Sequence, residues 1–327
     1  MLKGVKISGT GSFLPDRILT NHDLEKMIDT SDEWIKTRTG ICERRIADEN
    51  TATSDLAIEA AKKALKNAHK KPEEVDLIIV ATVTPDMIFP STACFVQRGI
   101  GAKHAAAFDI SAACSGFIYG LAVGYQFIAS GMYDTVLVIG AEVYSRIVDW
   151  TDRNTCVLFG DGAGAVVLEP TNKDEGILAI DLETDGNTAE LLMVPGGGSR
   201  NPICQKTLDH RLNFVKMKGN EVFKFAVNSL VKTTRKVLAK AKLKPEDVDH
   251  IVPHQANVRI IDALTKKLKI DPEKAFINIE KYGNTSAASI GIALDELVHS
   301  KKLKKGQIIV TNAFGGGLTW GACVIKW

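Results

Sequence analysis

The stretch that decides the fold is a segment that occurs twice in the chain. It reads Lys63-Ala-Leu-Lys-Asn-Ala-His-Lys-Lys-Pro-Glu-Glu-Val-Asp-Leu-Ile-Ile79 the first time and Lys236-Val-Leu-Ala-Lys-Ala-Lys-Leu-Lys-Pro-Glu-Asp-Val-Asp-His-Ile-Val252 the second. The two copies share the frame K-x-L-x-x-A-x-x-K-P-E-[ED]-V-D-x-I. Their offset of roughly 170 residues is too long for a stacked repeat, whose period is about 20–50 residues. The chain is therefore predicted to contain two similar domains side by side.

The correspondence continues into the segments that follow each copy. Thr135-Val-Leu-Val-Ile-Gly-Ala141 matches Gln307-Ile-Ile-Val-Thr-Asn-Ala313, and Gly164-Ala-Val-Val-Leu168 matches Gly321-Ala-Cys-Val-Ile325. Apolar periodicity predicts helices over 54–69, 115–130, 221–241, 258–268 and 286–299, and strands over 75–82, 106–110, 136–140, 163–168, 248–252, 307–312 and 320–326. Short apolar strands that alternate with helices are typical of an α/β fold with mixed or parallel sheets.

The overall composition excludes several classes of function. The chain has 327 residues and a net charge of +2, which argues against nucleic acid or an anionic membrane as the main partner. It is 45% hydrophobic, which is too apolar for a disordered protein, and no apolar run is long enough to span a membrane. Residues 1–13 are expected to form a strand and a Gly turn rather than a signal or transit peptide.

The six cysteines show no spacing that points to a metal or a disulfide framework. No CxxC occurs, the histidines do not form HxxxH, and a chain of 327 residues does not need disulfides for stability. We therefore expect reduced thiols, a cytoplasmic protein and no bound metal. Whether one of these thiols is reactive is a separate question.

Cys114 differs from the other cysteines in its surroundings. It lies in Ala112-Ala-Cys-Ser-Gly116, between the predicted strand 106–110 and the predicted helix 115–130. Unpaired N–H groups and the positive end of the dipole at a helix start favour a thiolate and lower its pKa. The small neighbouring side chains leave room for a substrate. The same pattern also fits a small buried residue in a tight turn, so Cys114 is a candidate nucleophile.

Two polar residues lie at comparable places in the second copy. His254 follows the predicted strand 248–252, and ligands of α/β proteins gather beyond the carboxyl ends of strands. Asn284 precedes the predicted helix 286–299. Taken alone, His254 is equally compatible with a turn, and Asn284 with a helix N-cap.

Together the three residues fit one chemistry. A cysteine supplies a covalent nucleophile, and a neutral histidine and an amide supply donors for an oxyanion or an enolate oxygen. The glycines of Ala313-Phe-Gly-Gly-Gly317 allow close backbone approach and offer one more N–H group. That segment also fits a plain hairpin turn before the last strand. A covalent acyl-transfer or condensation enzyme is therefore one hypothesis.

The motifs closely resemble those of β-ketoacyl-acyl carrier protein synthase III, in order and in spacing, over essentially the whole chain. They are Asp29-Thr-Ser-Asp-Glu-Trp-Ile-Lys-Thr-Arg-Thr-Gly40, Asp109-Ile-Ser-Ala-Ala-Cys-Ser-Gly116, Phe159-Gly-Asp-Gly-Ala-Gly-Ala165, Pro253-His-Gln-Ala-Asn257, Tyr282-Gly-Asn-Thr-Ser-Ala287 and Phe314-Gly-Gly-Gly317. An Asn in the third active-site position distinguishes this family from elongating synthases, which have a second His, and from hydroxymethylglutaryl-CoA synthases, which add a Glu.

The resemblance implies the thiolase fold, an α/β fold in which duplicated βαβαβαββ halves form a five-layered α-β-α-β-α sandwich. We expect an N-terminal half over 1–172, with the nucleophile and a cap insertion at about 28–50, and a C-terminal half over 173–327, with the His and the Asn. Residues from about 185 to 218 also lie outside the repeat, and such insertions commonly carry binding residues.

The implied activity is the initiating condensation of dissociated (type II) fatty acid synthesis. Cys114 accepts the acyl group of a short acyl-CoA, and His254 and Asn284 stabilise the enolate that malonyl-acyl carrier protein forms when it loses CO2. The N–H groups of Cys114 and Gly316 resemble the oxyanion hole of the condensation step. No metal or redox cofactor is implied, because decarboxylation generates the carbanion.

The resemblance also assigns the substrate contacts. Trp34 and Arg153 resemble a pair that sandwiches the adenine of CoA. The other CoA contacts are Thr30 for adenine, Arg38 for phosphate, and Met217, Asn220, Phe223, Ala256 and Asn257 for the pantetheine tunnel. A patch for the acidic acyl carrier protein comprises Lys224, Gln255, Arg259, Lys266 and Lys267. Without the resemblance, Trp34 and Phe223 fit packing residues, and Lys266-Lys267 fits a solvated helix face.

The predicted primer is short, acetyl- or propionyl-CoA. Phe89 lies on the 84–98 loop, which in this family crosses a homodimer interface to close the neighbour's acyl pocket.

Two alternative functions remain open from the sequence. One is a priming synthase for polyketides or an acyltransferase that stops at the acyl-Cys. The other is a non-catalytic thiolase-fold scaffold, which the three filled active-site positions disfavour.

Overall fold

The computed structural model describes residues 3–172 and 174–327, so Met1, Leu2 and Lys173, the first residue of the predicted C-terminal half, lie outside it. Its strands are β1 Gly4–Phe13, β2 Ile18–Thr20, β3 Glu43–Arg45, β4 Leu77–Ala81, β5 Ala106–Ile110, β6 Val136–Glu142, β7 Gly162–Thr171, β8 Gly176–Thr184, β9 Leu192–Met193, β10 Lys216–Met217, β11 His250–Pro253, β12 Ile308–Gly315 and β13 Thr319–Lys326. Its α-helices are α1 Asn21–Glu25, α2 Asp32–Thr39, α3 Thr53–Asn67, α4 Thr92–Ile100, α5 Gly116–Ala129, α6 Arg153–Cys156, α7 Gln205–Asp209, α8 Gly219–Lys240, α9 Val258–Leu268, α10 Ile279–Tyr282 and α11 Ala288–His299.

Two main sheets repeat one pattern of strand pairing. The first sheet has the order β1-β7-β6-β4-β5, and the second has the order β11-β12-β13-β8. In the first, β4 is parallel to β5 and β6, and β7 is antiparallel to β6 and β1. In the second, β11 is parallel to β12, and β13 is antiparallel to β12 and β8. The duplicated segment therefore produces two sheets of the same connectivity.

The predicted βαβαβαββ order holds in the first half and is incomplete in the second. The first half runs β1, α3, β4, α4, β5, α5, β6 and β7. In the second half, the strand that would match β5 is reduced to one bridge, in which Ala275 lies beside Ile251. Pro272–Lys274 form a 3-10 turn just before the bridge, and α10 begins at Ile279 soon after it.

Strict alternation along the buried strands divides their side chains between different layers. Ile79 of β4 faces a core that contains α5 and α11, whereas its neighbour Ile78 faces a core that contains α3 and α4. In the second sheet, Ile309 faces the same central core, and Val310 faces the outer core formed with α8 and α9. Since successive strand residues point to opposite faces, both sheets are covered on both sides. The predicted five-layered α-β-α-β-α sandwich is confirmed.

The two halves make direct backbone contact where α11 crosses the first sheet. Gly164 of β7 lies against Gly291 of α11, and a Cβ on Gly164 would overlap the backbone of Gly291. Gly140 of β6 is likewise in contact with the carbonyl group of Ala287. Glycine at these positions lets the helix of one half approach the strands of the other closely.

The regions outside the repeat fold over one side of the sandwich. The predicted cap insertion contains α2 and β3, and Gly40 at its helix end touches Val258 at the start of α9. The region 185–218 contains a 3-10 turn, β9, α7 and β10. Residues 3–172 and 174–327 contain no helix of the length and apolar character needed to cross a membrane.

We expect Gly164→Ala to destabilise the protein by about 2 kcal/mol or more, because the added methyl group meets backbone that cannot move aside. Thermal and urea unfolding would measure the loss. Gly186→Ala is a matched control, since a Cβ at Gly186 meets nothing within 4 Å, and its change should stay within about 0.5 kcal/mol. Equal stabilities for the two variants would contradict the close contact between the halves.

Candidate active site

Cys114 lies in a 3-10 turn, Ala113–Ser115, that joins the first sheet to α5. Only 3% of its surface is exposed. Ala113 has a positive φ of 46°, which turns the chain sharply at this point. A Cβ on Gly315 would lie 2.5 Å from the backbone nitrogen of Cys114. The glycine-rich segment therefore lies directly against the turn that holds the thiol.

His254 follows β11 by one residue and is buried. Its backbone N–H donates to the carbonyl oxygen of Asn312 at 2.8 Å. Burial lowers the pKa of His254 to about 3, so the imidazole is neutral at physiological pH. Its Nδ1 lies 2.6 Å from Oγ of Ser289, and that Oγ also accepts the Gln255 backbone N–H at 3.4 Å. The Ser289 hydroxyl hydrogen is thus free to point at Nδ1, which leaves the ring proton on Nε2.

Asn284 is held by backbone pairing to the first half of the molecule. Its N–H donates to Leu158 at 2.8 Å, and its carbonyl oxygen accepts from Gly160 at 3.1 Å. The side-chain Oδ1 accepts the backbone N–H of Ser286 at 2.8 Å, so the amide Nδ2 remains as the free donor. The N-cap of α11 is Ala287, which shows that Asn284 is not a capping residue.

One cavity of about 780 Å³ brings these three side chains together. Cys114 comes from one half, and His254 and Asn284 come from the other. The cavity wall also contains most of the predicted CoA and tunnel residues, namely Trp34, Arg38, Met217, Asn220, Phe223, Ala256 and Asn257. A buried thiol at the end of a cavity of this size can accept a group from an extended substrate.

The two residues predicted to sandwich the adenine are in contact with each other. The guanidinium of Arg153 lies 5.0 Å from the centre of the Trp34 ring, and its Nη1 donates to the carbonyl oxygen of Asp29 at 2.9 Å. The two planar groups are in direct cation–π contact, so an adenine between them must displace the guanidinium. Thr30 and Arg153 do not line the cavity itself, and the side-chain Oγ1 of Thr30 is buried without a hydrogen-bond partner among the described residues.

The predicted basic patch is divided between the cavity mouth and α9. Lys224 and Arg259 are exposed and line the mouth, whereas Lys266 and Lys267 are exposed on the last turn of α9. The prediction that Gln255 contacts the carrier protein is wrong, because this residue is buried. Its amide donates to the carbonyl oxygen of Pro253 at 2.8 Å and accepts the Asn278 N–H at 3.1 Å, which ties the two loops together.

Gly316 and Phe89 also lie outside the cavity lining. Gly316 follows β12 and packs near Ala113. Neither its N–H nor that of Cys114 finds an acceptor in the part of the chain that the structure describes. Phe89 is 82% exposed next to Ile88, which is 87% exposed, so the tip of this loop is not covered by its own chain.

Glu142 is the residue that sequence reasoning missed. It ends the apolar strand β6 with its carboxylate fully buried, and Ser286 donates its hydroxyl hydrogen to it at 3.1 Å. Burial raises the pKa of Glu142 to about 7. Tyr144, two residues further on, stacks on Phe159 at 4.1 Å and is also buried. A charged residue at the end of an entirely apolar strand is the sequence signal that could have identified Glu142.

The prediction that the position of Cys114 lowers its pKa is wrong for the free thiol. Burial raises the pKa of Cys114 to about 12; hydrogen bonding from Ser286 opposes the rise, and the charge of Glu142 adds to it. The physical reason is that desolvation disfavours the thiolate more than the nearby helix start favours it. Cys114 lies in the turn before α5 and is not the first residue of the helix. The thiol is therefore protonated at neutral pH, and a reaction must transfer its proton to another group.

Over residues 3–172 and 174–327, no group of three or more His, Cys, Asp and Glu side chains is placed to hold a metal ion. The groups that meet in and beside the cavity are a thiol, a neutral imidazole, an amide and backbone N–H groups. These are the parts of a covalent acyl-transfer site with an oxyanion or enolate pocket.

Two family models match the chain in the regions that carry these residues. The model described as 3-oxoacyl-[acyl-carrier-protein (ACP)] synthase III matches residues 108–186, which include Cys114. The model described as the C terminal of the same synthase matches residues 238–327, which include His254 and Asn284.

Similar proteins cover the chain from end to end. A β-ketoacyl-[acyl-carrier-protein] synthase III of Caldanaerobacter subterraneus is 60% identical over 321 residues, which are 98% of this chain and 97% of the relative. The crystal structure of a 3-oxoacyl-[acyl-carrier-protein] synthase III from Aquifex aeolicus is 55% identical, with a TM-score of 0.92, and the match covers 99% of this chain and 100% of that one. The priming β-ketosynthase of the R1128 polyketide pathway is 34% identical, with a TM-score of 0.92, and the match covers 99% of this chain and 96% of that one.

These likenesses agree with the duplicated, five-layered architecture, and they span the cysteine, the histidine and the asparagine that one cavity brings together. Full-length identity at this level is decisive for membership of a family. The chain belongs to the β-ketoacyl-acyl carrier protein synthase III family.

Proposed function

We propose that the protein catalyses the decarboxylative Claisen condensation of a short acyl-CoA with malonyl-acyl carrier protein, the initiating step of dissociated fatty acid synthesis. The observation that carries the proposal is the convergence of Cys114, His254 and Asn284 in one cavity of about 780 Å³. The products are 3-ketoacyl-acyl carrier protein, CO2 and CoA. Membership of the family supports both the reaction and the two substrates.

The first half-reaction transfers the primer to the enzyme. The sulfur of Cys114 attacks the thioester carbonyl of the acyl-CoA, and the acyl group is left on the cysteine as CoA departs. The N–H groups of Cys114 and Gly316 have no acceptor among the described residues, so they are available to the oxyanion of the tetrahedral intermediate. Preformed backbone donors of this kind stabilise the transition state without reorganisation.

The second half-reaction uses the two neutral donors. Since Ser289 occupies Nδ1 of His254, the Nε2–H group faces the substrate, and Ser286 similarly leaves Nδ2 of Asn284 free. Both donors bind the thioester oxygen of malonyl-acyl carrier protein and stabilise the enolate as CO2 leaves. A neutral imidazole suits this role, because a cationic one would protonate the enolate. The carbanion then attacks the acyl-Cys114, and no metal or redox cofactor is required.

We expect Cys114→Ser to abolish condensation from acetyl-CoA, because the hydroxyl is a far weaker nucleophile. His254→Ala and Asn284→Ala should still be acylated at Cys114 but lose malonyl decarboxylation by about two orders of magnitude or more. Mass spectrometry measures acylation, and release of labelled CO2 measures decarboxylation. A variant of His254 or Asn284 that decarboxylates but is not acylated would show that the roles are reversed.

The exposed basic residues on α9 support the proposed binding of the acidic carrier protein. Lys266 and Lys267 lie beyond the cavity lining, so they are suited to protein contact rather than CoA contact. Charge complementarity of this kind raises the association rate, and salt weakens this effect because it screens the charges.

We expect the double variant Lys266→Glu/Lys267→Glu to raise KM for malonyl-acyl carrier protein about tenfold at low salt, with acylation by acetyl-CoA unchanged. Lys302→Glu/Lys305→Glu is the matched control. These exposed lysines follow the end of α11, whose opposite end lies at the active site, about 18 Å away along the helix. Equal effects of the two double variants would exclude a local patch on α9.

The exposed loop at Phe89 supports a homodimer in which each chain closes the acyl pocket of the other. Neighbouring apolar side chains that are more than four-fifths exposed are costly unless a partner covers them. We propose that Phe89 limits the primer to acetyl or propionyl groups. In a panel of acyl-CoAs, we expect Cys114 to be acylated rapidly by acetyl-CoA and hardly by dodecanoyl-CoA.

Phe89→Ala should extend the accepted chain length in the same mass-spectrometric panel, with acetyl transfer retained. Comparable acylation of the unaltered protein by dodecanoyl-CoA would contradict the short-primer proposal.

A second candidate within the same chemistry is a priming synthase for polyketides. The likeness to the R1128 priming ketosynthase favours it, since that structure covers almost the whole chain at 34% identity. The two functions differ in the carrier protein that receives the primer, so a comparison of the two carrier proteins as substrates distinguishes them. The six unpaired cysteines support a cytoplasmic location for either function.

A further inference from the structure

Glu142 is a fully buried carboxylate to which the reaction described above assigns no part. Its Oε1 accepts the Ser286 hydroxyl at 3.1 Å. Its Oε2 accepts the hydroxyls of Thr82 at 3.2 Å and Thr84 at 2.5 Å, and the backbone N–H groups of Val83 at 3.2 Å and Thr84 at 3.1 Å. These donors favour the charged carboxylate, whereas burial favours its protonated form.

Ser286 lies between Glu142 and the nucleophile. It is fully buried and has a positive φ of 49°, a conformation that is costly for a residue with a Cβ. Its N–H orients the Asn284 amide at 2.8 Å, and its hydroxyl donates to Glu142. The segment that carries Ser286 packs against the start of α5, since a Cβ on Gly116 would lie 3.5 Å from the Cβ of Ala287. Contact with Ser286 is also one of the influences on the pKa of Cys114, which it lowers. Cys114, Ser286 and Glu142 are therefore buried close together, with Ser286 bonded to Glu142.

The proton of Cys114 needs an acceptor, and the thiol itself is almost fully buried. His254 is a poor one, because Ser289 already occupies its Nδ1 and burial lowers its pKa to about 3. Burial raises the pKa of Glu142 to about 7, which makes it the stronger base. The titratable groups that face Glu142 are Cys114 and Tyr144, and neither is charged at neutral pH. Residues 82–84 and 284–286 contribute no charge.

We propose that Ser286 and Glu142 form a proton relay that takes the proton from Cys114 during acylation and returns it during condensation. In acylation, the S–H bond of Cys114 breaks, its proton passes to Oγ of Ser286, and the Ser286 proton passes to Oε1 of Glu142. The thiolate attacks the acyl-CoA, and CoA leaves as a thiolate that takes a proton from solvent.

The relay runs backwards in the second half-reaction. The enolate formed by loss of CO2 attacks the acyl-Cys114, and the carbon–sulfur bond breaks to release the Cys114 thiolate. The proton stored on Glu142 then returns through Ser286 to that sulfur. The cycle therefore consumes one proton from solvent, at CoA, and leaves the thiol and the carboxylate as they began. Glu142 acts through Ser286 and is a positioning residue rather than a group that touches substrate.

The relay rests on the proposed function, and its test uses two arms with different reagents. One arm follows single-turnover acylation of Cys114 by acetyl-CoA between pH 5.5 and 9.5. The other follows alkylation of Cys114 by iodoacetamide over the same range, which needs no acyl-CoA chemistry. Because the base works when Glu142 is ionised, both rates should rise with pH through a midpoint near 7 in the unaltered protein.

We expect Glu142→Gln to remove this midpoint and to lower both rates about a hundredfold at pH 7.5, with the rise displaced to higher pH. Ser286→Ala should have the same effect, while the residue-286 N–H continues to hold Asn284. Malonyl decarboxylation needs no proton from Cys114, so it should fall much less than acylation in both variants. A purely structural role for Glu142 would lower both activities together and leave the midpoint in place.

Asp161→Asn is the matched control. Asp161 is an equally buried carboxylate, bonded to the hydroxyl of Ser145 at 2.6 Å and to the N–H of Ala47 at 2.8 Å, and it forms no bond to the Cys114 segment. The pH profiles of acylation and alkylation in this variant should match those of the unaltered protein. If Glu142→Gln does not fold, Ser286→Ala decides the question.

A folded Ser286→Ala with the unaltered pH profile would overturn the relay. Failure of every acyl-CoA to acylate the unaltered protein would instead overturn the proposed function, and the alkylation arm would still test the relay.

Discussion

The architecture depends on backbone contact between the two halves, where α11 of the second half rests on β6 and β7 of the first. Gly140, Gly164 and Gly291 allow this approach because none of them carries a Cβ. The contact places the start of α11 beside the start of α5, its counterpart in the first half. Cys114 precedes α5 and Asn284 precedes α11, so the duplication brings two equivalent helix approaches together and builds one site from both halves.

Burial of this site then determines the state of its titratable groups. The histidine is neutral, the cysteine keeps its proton, and the Glu142 carboxylate has a pKa near neutrality, all because desolvation disfavours charge. A neutral imidazole suits enolate stabilisation, whereas a protonated thiol is a poor nucleophile. The same burial that serves the second half-reaction thus creates the need for a proton acceptor in the first. The proposed relay through Ser286 to Glu142 answers that need.

Much of the fold and the centre of the site could be predicted from the sequence. The repeated segment predicts two α/β halves, and short continuous apolar runs predict strands buried on both faces. The sequence predicts Cys114, His254 and Asn284 as site residues because each lies at a strand or helix boundary, where local patterns are informative. It does not predict the burial of Gln255, because motif spacing does not show that a side chain turns inward to bond Pro253 and Asn278. In the second half, the third strand is reduced to one bridge beside the turn at Pro272–Lys274, a local difference that the repeat obscured.

By itself, the sequence determined the duplication, the class of fold, the family and the candidate nucleophile. These properties follow from residue types and spacings along the chain, which are local or repeated features. Only the tertiary structure decided the protonation of Cys114, the tautomer of His254, the closure of Arg153 onto Trp34 and the place of Glu142. These properties depend on desolvation and on contacts between residues far apart in the chain. Such contacts exist only once the two halves have packed together, because each half contributes groups that the other one buries.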